Sequence, residues 1–350
     1  LARDRIGEKP LYWGWAGKDL IFGSELKSLR AHPNCPKDVC KKALLQYLRF
    51  AYVPAPRSIY PGIYKLEPGC ILTVKEAPPA KMPNNPVRPG NSYGSLSIRR
   101  YWDLSEEIIK GSKNIILDEK EAIYETEKSL SQSVKNQMLS DVAIGAFLSG
   151  GVDSSTIVAL MQKQSSRPIK TFTIGFDDSN YDESLNAAAV SKYLGTNHTK
   201  LGVTETDALK VIPDLPFFYD EPFSDSSQIP THLVCRAAKQ NVTVALSGDG
   251  GDEIFGGYNR YIHGPSLYKH ISYVPKFFRK FLGKKFQDLS LNCWNRIGEI
   301  YNFIKKGSSG ISNLGLKVNK VSEYLIKSDN FNEFYLNLVS SWNSPEEILV

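Results

Sequence analysis

Residues 142–163 read VAIGAFLSGGVDSSTIVALMQK. Val142–Leu148 is an apolar run of strand length, and Ser149–Ser155 is a glycine- and serine-rich turn. Helical spacing resumes from Ser154 to Lys163. Strand, tight turn and helix in that order open a parallel βαβ unit. The turn has its own chemistry. A helix start leaves N–H groups unpaired and directs the positive end of its dipole outward. Gly150 and Gly151 let the backbone approach an anion with no Cβ in the way, and the hydroxyls of Ser149 and Ser154 add donors. Together these form a nest for phosphate oxygens. Asp153 alone would repel phosphate. A bridging Mg2+ removes the conflict, because the carboxylate holds the metal and the metal holds the phosphates.

No lysine follows the glycines, so this is not the GxxxxGKS/T loop of the P-loop nucleotide hydrolases. The pattern matches the loop of ligases that cleave ATP between its α and β phosphates. A second loop, LSGDGGDE at 246–253, follows a second apolar run, Val242–Leu246, and continues into Phe255-Gly256-Gly257-Tyr258. Ligands of open α/β sheets sit at the carboxyl ends of strands, so both loops are expected to face one pocket. Asp252 is then a candidate second carboxylate for the Mg2+, and Asp249 a base or an orienter of the acceptor. In this chemistry a carboxylate oxygen attacks the α phosphorus of ATP as pyrophosphate leaves, and an amine then displaces AMP from the acyl-adenylate. The departing pyrophosphate is stabilised by backbone N–H groups and the metal.

Outward from these loops, strands at 171–176 and 199–203 alternate with helices at 119–136, 184–194 and 226–239. That alternation predicts an α/β domain with a parallel sheet covered on both faces. The spacing of Trp294, Ile297, Tyr301 and Ile304 predicts a helix packed into a core. Residues 1–76 read differently. Leu11–Trp15 and Leu20–Gly23 form a hairpin pattern, Ser24 is placed to cap a helix over 25–30, and residues 40–48 are helical. Ile59–Tyr64 and Cys70–Val74 are strand-like, around the turn Glu67-Pro68-Gly69. Arg3, Asp4 and Arg5 suggest an ion-pair network. Residues 77–99, PPAKMPNNPVRPGNSYGSLSI within them, read as a linker or long mobile loop with too little apolar surface to offset ordering. Asp177, Asp178, Asp182 and Glu183 read as a solvated turn capping the helix from Ser184.

At 350 residues, with 41% hydrophobic and 23% charged residues, the chain has room for two domains. No run of 18 apolar residues is present, so no spanning helix is expected. Five scattered cysteines without CxxC or zinc spacing favour a reducing, cytoplasmic setting. The net charge of +6 reads as a solvated surface. The first residue is not Met, and sequence is expected upstream.

With these motifs in place, the chain resembles the glutamine-hydrolysing asparagine synthetase family over nearly its whole length. The carriers are ARDRIGEKPLYWG at 2–14, GSELKSL at 23–29, YVPAPRSIYPGIYKLEPG at 52–69 and FLSGGVDSS at 147–155. TFTIGFDD at 171–178, DEPFSDSSQIPTHLV at 220–234 and LSGDGGDEIFGGYNRY at 246–261 complete the set. The resemblance implies an ATP-pyrophosphatase synthetase domain, adenine nucleotide alpha hydrolase-like, at 119–350. It implies the C-terminal part of an N-terminal-nucleophile α+β glutaminase at 1–76, with 77–118 connecting them. It further implies that ammonia from glutamine captures a β-aspartyl-AMP intermediate. Leu148 and Ile174 would contact the adenosine of ATP, Ser247 and Gly248 would bind ATP at the second loop, and Asp153 and Asp252 would hold Mg2+ and pyrophosphate. Apolar residues at strand ends are also buried for packing alone, so that reading of Leu148 and Ile174 stays open.

Some family features are missing from these residues. The catalytic cysteine at the mature chain start is one, so Cys35, Cys40 and Cys70 are expected to be structural. The lysine-bearing pyrophosphate motif is another, which suggests a cut C-terminus. Position 249 is Asp where some members carry Glu, and Ser226 or Ser227 stands where some carry an Arg toward aspartate. The partners expected are therefore aspartate, glutamine and ATP, with a possible homodimer and neither nucleic acid nor membrane. The alternatives are a relative amidating a sugar acid or peptide, a tRNA-modifying enzyme of the same ATP-cleaving type, or a nucleotide-binding remnant.

Overall fold

The computed structural model describes residues 1–176, 182–304 and 313–348. Packing divides the chain into two compact units, Leu1–Asp249 with Ser344–Val350, and Gly250–Asn343.

In the first unit, β1 (Tyr12–Ala16) and β2 (Asp19–Gly23) form the expected hairpin, with Tyr12 opposite Gly23 and Ala16 opposite Asp19. β3 (Ile63–Lys65) adds antiparallel to β1. The helix after the hairpin runs Leu26–Arg30 with Glu25 at its N-cap. Ser24 therefore does not cap it, and the Ser28 hydroxyl donates to the Glu25 carbonyl at 2.6 Å instead. A longer helix follows at Lys41–Phe50.

A second antiparallel sheet has β4 (Cys70–Val74) paired with β6 (Leu96–Arg100), and β6 paired with β5 (Ser92–Tyr93). The stretch at 77–99, read from composition as a mobile loop, thus contributes strands. Its few apolar side chains are enough: Val87, Leu96 and Ile98 pack with Trp13, Trp15, Leu66 and Leu72 in one core. The Trp15 indole N–H anchors the polar stretch by donating to the Pro79 carbonyl at 2.7 Å.

Near the N-terminus, Arg3 and Asp4 brace backbone rather than pairing ionically. The Arg3 guanidinium donates to the carbonyls of Leu66, Gly7 and Lys9 at 2.7–3.1 Å. Asp4 accepts the amides of Gly7, Glu8 and Lys9. A tight turn with many unpaired amides satisfies these groups better than a surface ion pair would.

The remaining sheet of this unit is parallel throughout, in the order β10 (Val244–Leu246), β7 (Ile144–Phe147), β8 (Lys170–Phe176), β9 (Asn197–Val203). Ala146 and Leu148 point to one face, where helices Glu119–Gln137, Val152–Lys163 and Ser184–Leu194 supply Val134, Val158, Met161 and Ala187. Phe172 and Phe147 point to the other, against Val234 and Ala238 of helix Gln228–Ala238. This is the α/β class the alternation predicted, with helices on both faces. The helix from Ser184 receives an acidic contact of the expected kind: Asp182 accepts the Ser184 amide at 3.0 Å. Asp177 and Asp178 lie outside the described residues.

The second unit is helical, with elements at Gly251–Phe255, Asn259–Ser272, Lys276–Asp288, Leu291–Ile304, Leu314–Lys327 and Phe331–Val339. Ile271, Tyr324 and Phe334 form its core. Trp294 packs edge-on to Phe286, and its N–H donates to the Phe286 carbonyl. Ile297 is exposed, contrary to the packing expected of it. Its helix meets the next one on another side, where Asn295 accepts the Gly315 amide at 2.8 Å. Tyr301 and Ile304 lie outside the described side chains.

Candidate nucleotide site

The first loop leaves the carboxyl end of β7 in the middle of the parallel sheet. The Leu148 amide still donates to the Phe172 carbonyl at 2.9 Å, so the strand direction holds up to Ser149. Gly150 then takes φ +84°, and Gly151 is the N-cap of helix Val152–Lys163. A Cβ on Gly150 would come within 2.7 Å of Asn186 and of the Ala187 amide, so only glycine lets the loop lie this close to helix Ser184–Leu194.

The hydroxyls brace the loop from inside. Ser154 Oγ accepts the Ser149 amide at 3.2 Å and lies 2.9 Å from Ser149 Oγ, which in turn accepts the Gly151 amide at 3.2 Å. The two serines therefore hold the loop's shape in the first place. The amides of Val152, Asp153 and Ser154 at the helix start have no carbonyl of their own helix to reach, a geometry able to donate to an anion. Ser155 Oγ is buried without a hydrogen-bond partner.

The second loop leaves β10, next to β7. Gly248 lies directly on the first loop: a Cβ there would be 2.6 Å from the Ser154 nitrogen, 2.9 Å from the Asp153 carbonyl carbon and 3.0 Å from Asp153 Cβ. Ser247 Oγ donates to Asp249 Oδ2 at 3.0 Å and accepts the Asp249 amide at 3.4 Å, which fixes the direction of that exposed carboxylate. Asp252 belongs to the second unit, on the short helix Gly251–Phe255. It packs its carboxylate over Gly257, where a Cβ would collide with Oδ1.

Beside the first loop, a slot of about 230 Å³ opens at the ends of β7 and β8. Leu148, Ser149, Phe172, Ile174, Thr231 and Val234 are among its walls. Leu148 is 1% exposed in the core and also lines the slot. An apolar slot next to an amide-lined turn suits a flat base with a phosphate tail. The structure thus gathers Leu148, Ser149, Gly150, Gly151, Asp153, Ser154, Ile174, Ser247, Gly248 and Asp249 in one region of the first unit.

The slot also has walls from the 220–234 motif that were not named as candidate site residues. Pro230, Thr231 and Val234 come from helix Gln228–Ala238. The segment before that helix carries a buried ion pair, Glu221 with Lys65, at side-chain exposures of 11% and 16%. The sequence signal was the charged pair Asp220-Glu221 inside the apolar stretch LPFFYDEPF.

The asparagine synthase family model matches residues 125–345, and a glutamine amidotransferase domain model matches residues 1–83. The chain belongs to the asparagine synthase family. A Methanocaldococcus jannaschii relative is 36% identical over 335 residues, 94% of this chain and 57% of its own length. Asparagine synthetase (glutamine-hydrolyzing) 1 of Bacillus subtilis is 34% identical over 282 residues, 80% of this chain and 40% of that protein. The chain thus spans roughly half the length of these relatives. Among solved structures, the NH3-dependent NAD synthetase of Campylobacter jejuni aligns over 61% of this chain and 95% of that one. Its TM-score of 0.28 and 10% identity add nothing to the family assignment.

Among the described residues, no three His, Cys, Asp or Glu side chains gather into a metal site. No helix among the described residues is long and apolar enough to cross a membrane.

Proposed function

We propose that the chain forms the ATP-cleaving half of an amide ligase, and that it makes asparagine from aspartate and glutamine-derived ammonia through β-aspartyl-AMP, with AMP and pyrophosphate released. One observation carries this reading: Gly248 seats the second loop on Asp153–Ser154, beside an apolar slot at the carboxyl ends of β7 and β8. The base enters the slot against Leu148 and Ile174. The triphosphate runs along the turn 149–155, where the first-turn amides and the helix dipole favour its charge. Asp153 would hold a Mg2+, which when bound supplies counter-charge to the pyrophosphate.

The chain's own groups do the rest. The loop amides stabilise charge that grows on the leaving pyrophosphate, an arrangement set before reaction by the Ser149–Ser154 brace. Ser247 and Gly248 line the triphosphate from the second loop. Asp249, aimed by Ser247, orients the incoming amine or takes its proton. Holding acceptor and nucleotide in one cleft supplies much of the remaining acceleration.

In this reading, residues 1–76 are the end of a glutaminase domain, 77–118 the segment that joins it to the ligase, and 119–350 the synthetase domain. The setting is the cytoplasm, and the assembly a homodimer. The test is pyrophosphate release by the full chain with Mg·ATP, ammonium and a panel of carboxylates. Aspartate should stimulate most, and the substitution Asp153→Ala should lower the rate about a thousandfold. Wild-type rates in that variant would remove Asp153 from the site. Stimulation by tRNA alone would move the protein to the RNA-modifying class, and stimulation by a sugar acid or peptide would change the acceptor only.

A further inference from the structure

The stretch Asp220–Ser224 is tied to residues 1–76 at every position that carries a polar group. Asp220 pairs with Lys27 at 3.3 Å. Glu221 pairs with Lys65 through one carboxylate oxygen, which also accepts the Tyr12 hydroxyl at 3.4 Å. Its other oxygen accepts the Ile59 amide at 3.0 Å. The Lys65 ammonium donates in addition to the Val53 carbonyl. The Ser224 amide donates to the Ala51 carbonyl at 2.8 Å, and the hydroxyls of Ser224 and Tyr47 meet at 2.5 Å.

Burial pushes the Glu221 carboxyl up and the Lys65 ammonium down from their ordinary values, each partly countered by the other's charge. Burial and the nearby Glu221 push the Tyr12 phenol up as well. A pair this desolvated costs stability relative to apolar side chains, so its presence asks for a function beyond packing.

Position supplies one. Four residues after Ser224, helix Gln228–Ala238 begins, and its first turns present Pro230, Thr231 and Val234 to the nucleotide slot. We infer that Lys65 and Glu221 are positioning residues, which set the height of that helix and so the width of the slot from the amidotransferase side of the chain. The inference rests on the ATP reading above. Its physical content is directional: hydrogen bonds from Tyr12, Ile59 and Lys65 fix where Glu221 sits, whereas an apolar pair would only fill the space. A change in residues 1–76 that moved β3 or Ile59 would therefore be felt at the base-binding wall.

The test compares wild type, Lys65→Met and Lys65→Met/Glu221→Leu as full chains. Three readouts are needed: equilibrium Mg·ATP binding, thermal melting, and amide hydrogen exchange across 222–234. Lys65→Met should weaken ATP about tenfold and speed exchange in that stretch. The double variant should recover part of the melting temperature that Lys65→Met loses, because no charge is left buried alone although the Ile59 amide and Tyr12 hydroxyl lose their acceptor, yet it should not regain ATP affinity. Recovery of affinity together with stability would show a packing role and overturn the inference, as would unchanged affinity in a folded Lys65→Met. If Lys65→Met does not fold, the double variant decides alone. A wild-type chain that binds no Mg·ATP sinks the ligase reading instead. Exchange then decides whether the clamp exists, and unchanged protection at 222–234 overturns it.

Discussion

A methyl group on Gly248 would lie 2.6 Å from the Ser154 nitrogen and 2.9 Å from the Asp153 carbonyl carbon. Both are backbone atoms held by the start of a helix, so neither can turn away as a side-chain tip would. Gly248→Ala must therefore push the second loop off the first. The fold should survive, since the slot and the parallel sheet lie to one side, while ATP affinity falls at least about tenfold through lost apposition. A binding titration beside a melting curve checks this, and full affinity in the alanine variant would mean that the loops need not touch. Gly150 is constrained in the same way by helix Ser184–Leu194. In sequence, Gly150 read as room for close approach to phosphate and Gly248, by resemblance, as an ATP-binding residue; in the fold, both are also places where two elements meet without room for a side chain.

At the scale of elements, the parallel sheet followed its sequence pattern closely. Helix Ser184–Leu194 begins and ends where the spacing placed it, and the strand and helix flanking the first loop differ from expectation by a residue or two. The stretch at 77–99 did not follow. Its composition is that of a linker, but Leu96 is 0% exposed and sits among Trp13, Trp15 and Ile98. Composition averages over a segment, whereas burial is decided residue by residue; Val87 with Leu96 and Ile98 on the strand paired to β4 suffices. Leu96→Ala should cost about 2–5 kcal/mol by urea or thermal melting, as for a core leucine. A loop residue would cost almost nothing, and that outcome would return 77–99 to the linker reading.

For the whole molecule, the distribution of charge bears on how a nucleotide is captured. Residues 250–343 hold thirteen Lys and Arg against seven Asp and Glu, so the net +6 of the chain resides there. The unit with the first loop and the slot is balanced, at thirty of each. At the proposed nucleotide site, anion binding would therefore rest on local amides and a helix dipole, with no help from net charge on the unit itself. Such a site stabilises the folded chain only as far as it binds. With Mg·ATP at about 100 times its Kd, the chain should gain about 2.7 kcal/mol of apparent stability, read as a raised melting temperature. Removing the metal with EDTA should erase most of that gain, because Asp153 then meets the phosphates unscreened. A melting curve indifferent to EDTA would leave the magnesium without a role.

The sequence by itself determined the two glycine loops, the strands that lead into them and the α/β alternation, because each rests on local periodicity and on backbone conformations that few residues tolerate. It also carried the family, through motifs whose order and spacing survive without any knowledge of contacts. Only the tertiary structure decided that Gly248 rests on Asp153–Ser154, that Ser149 and Ser154 brace each other, and that Lys65 reaches Glu221 across 156 positions of chain. Those facts depend on which distant segments pack together. Burial and hydrogen-bond geometry set that outcome over the whole fold, and no short window of residues contains it.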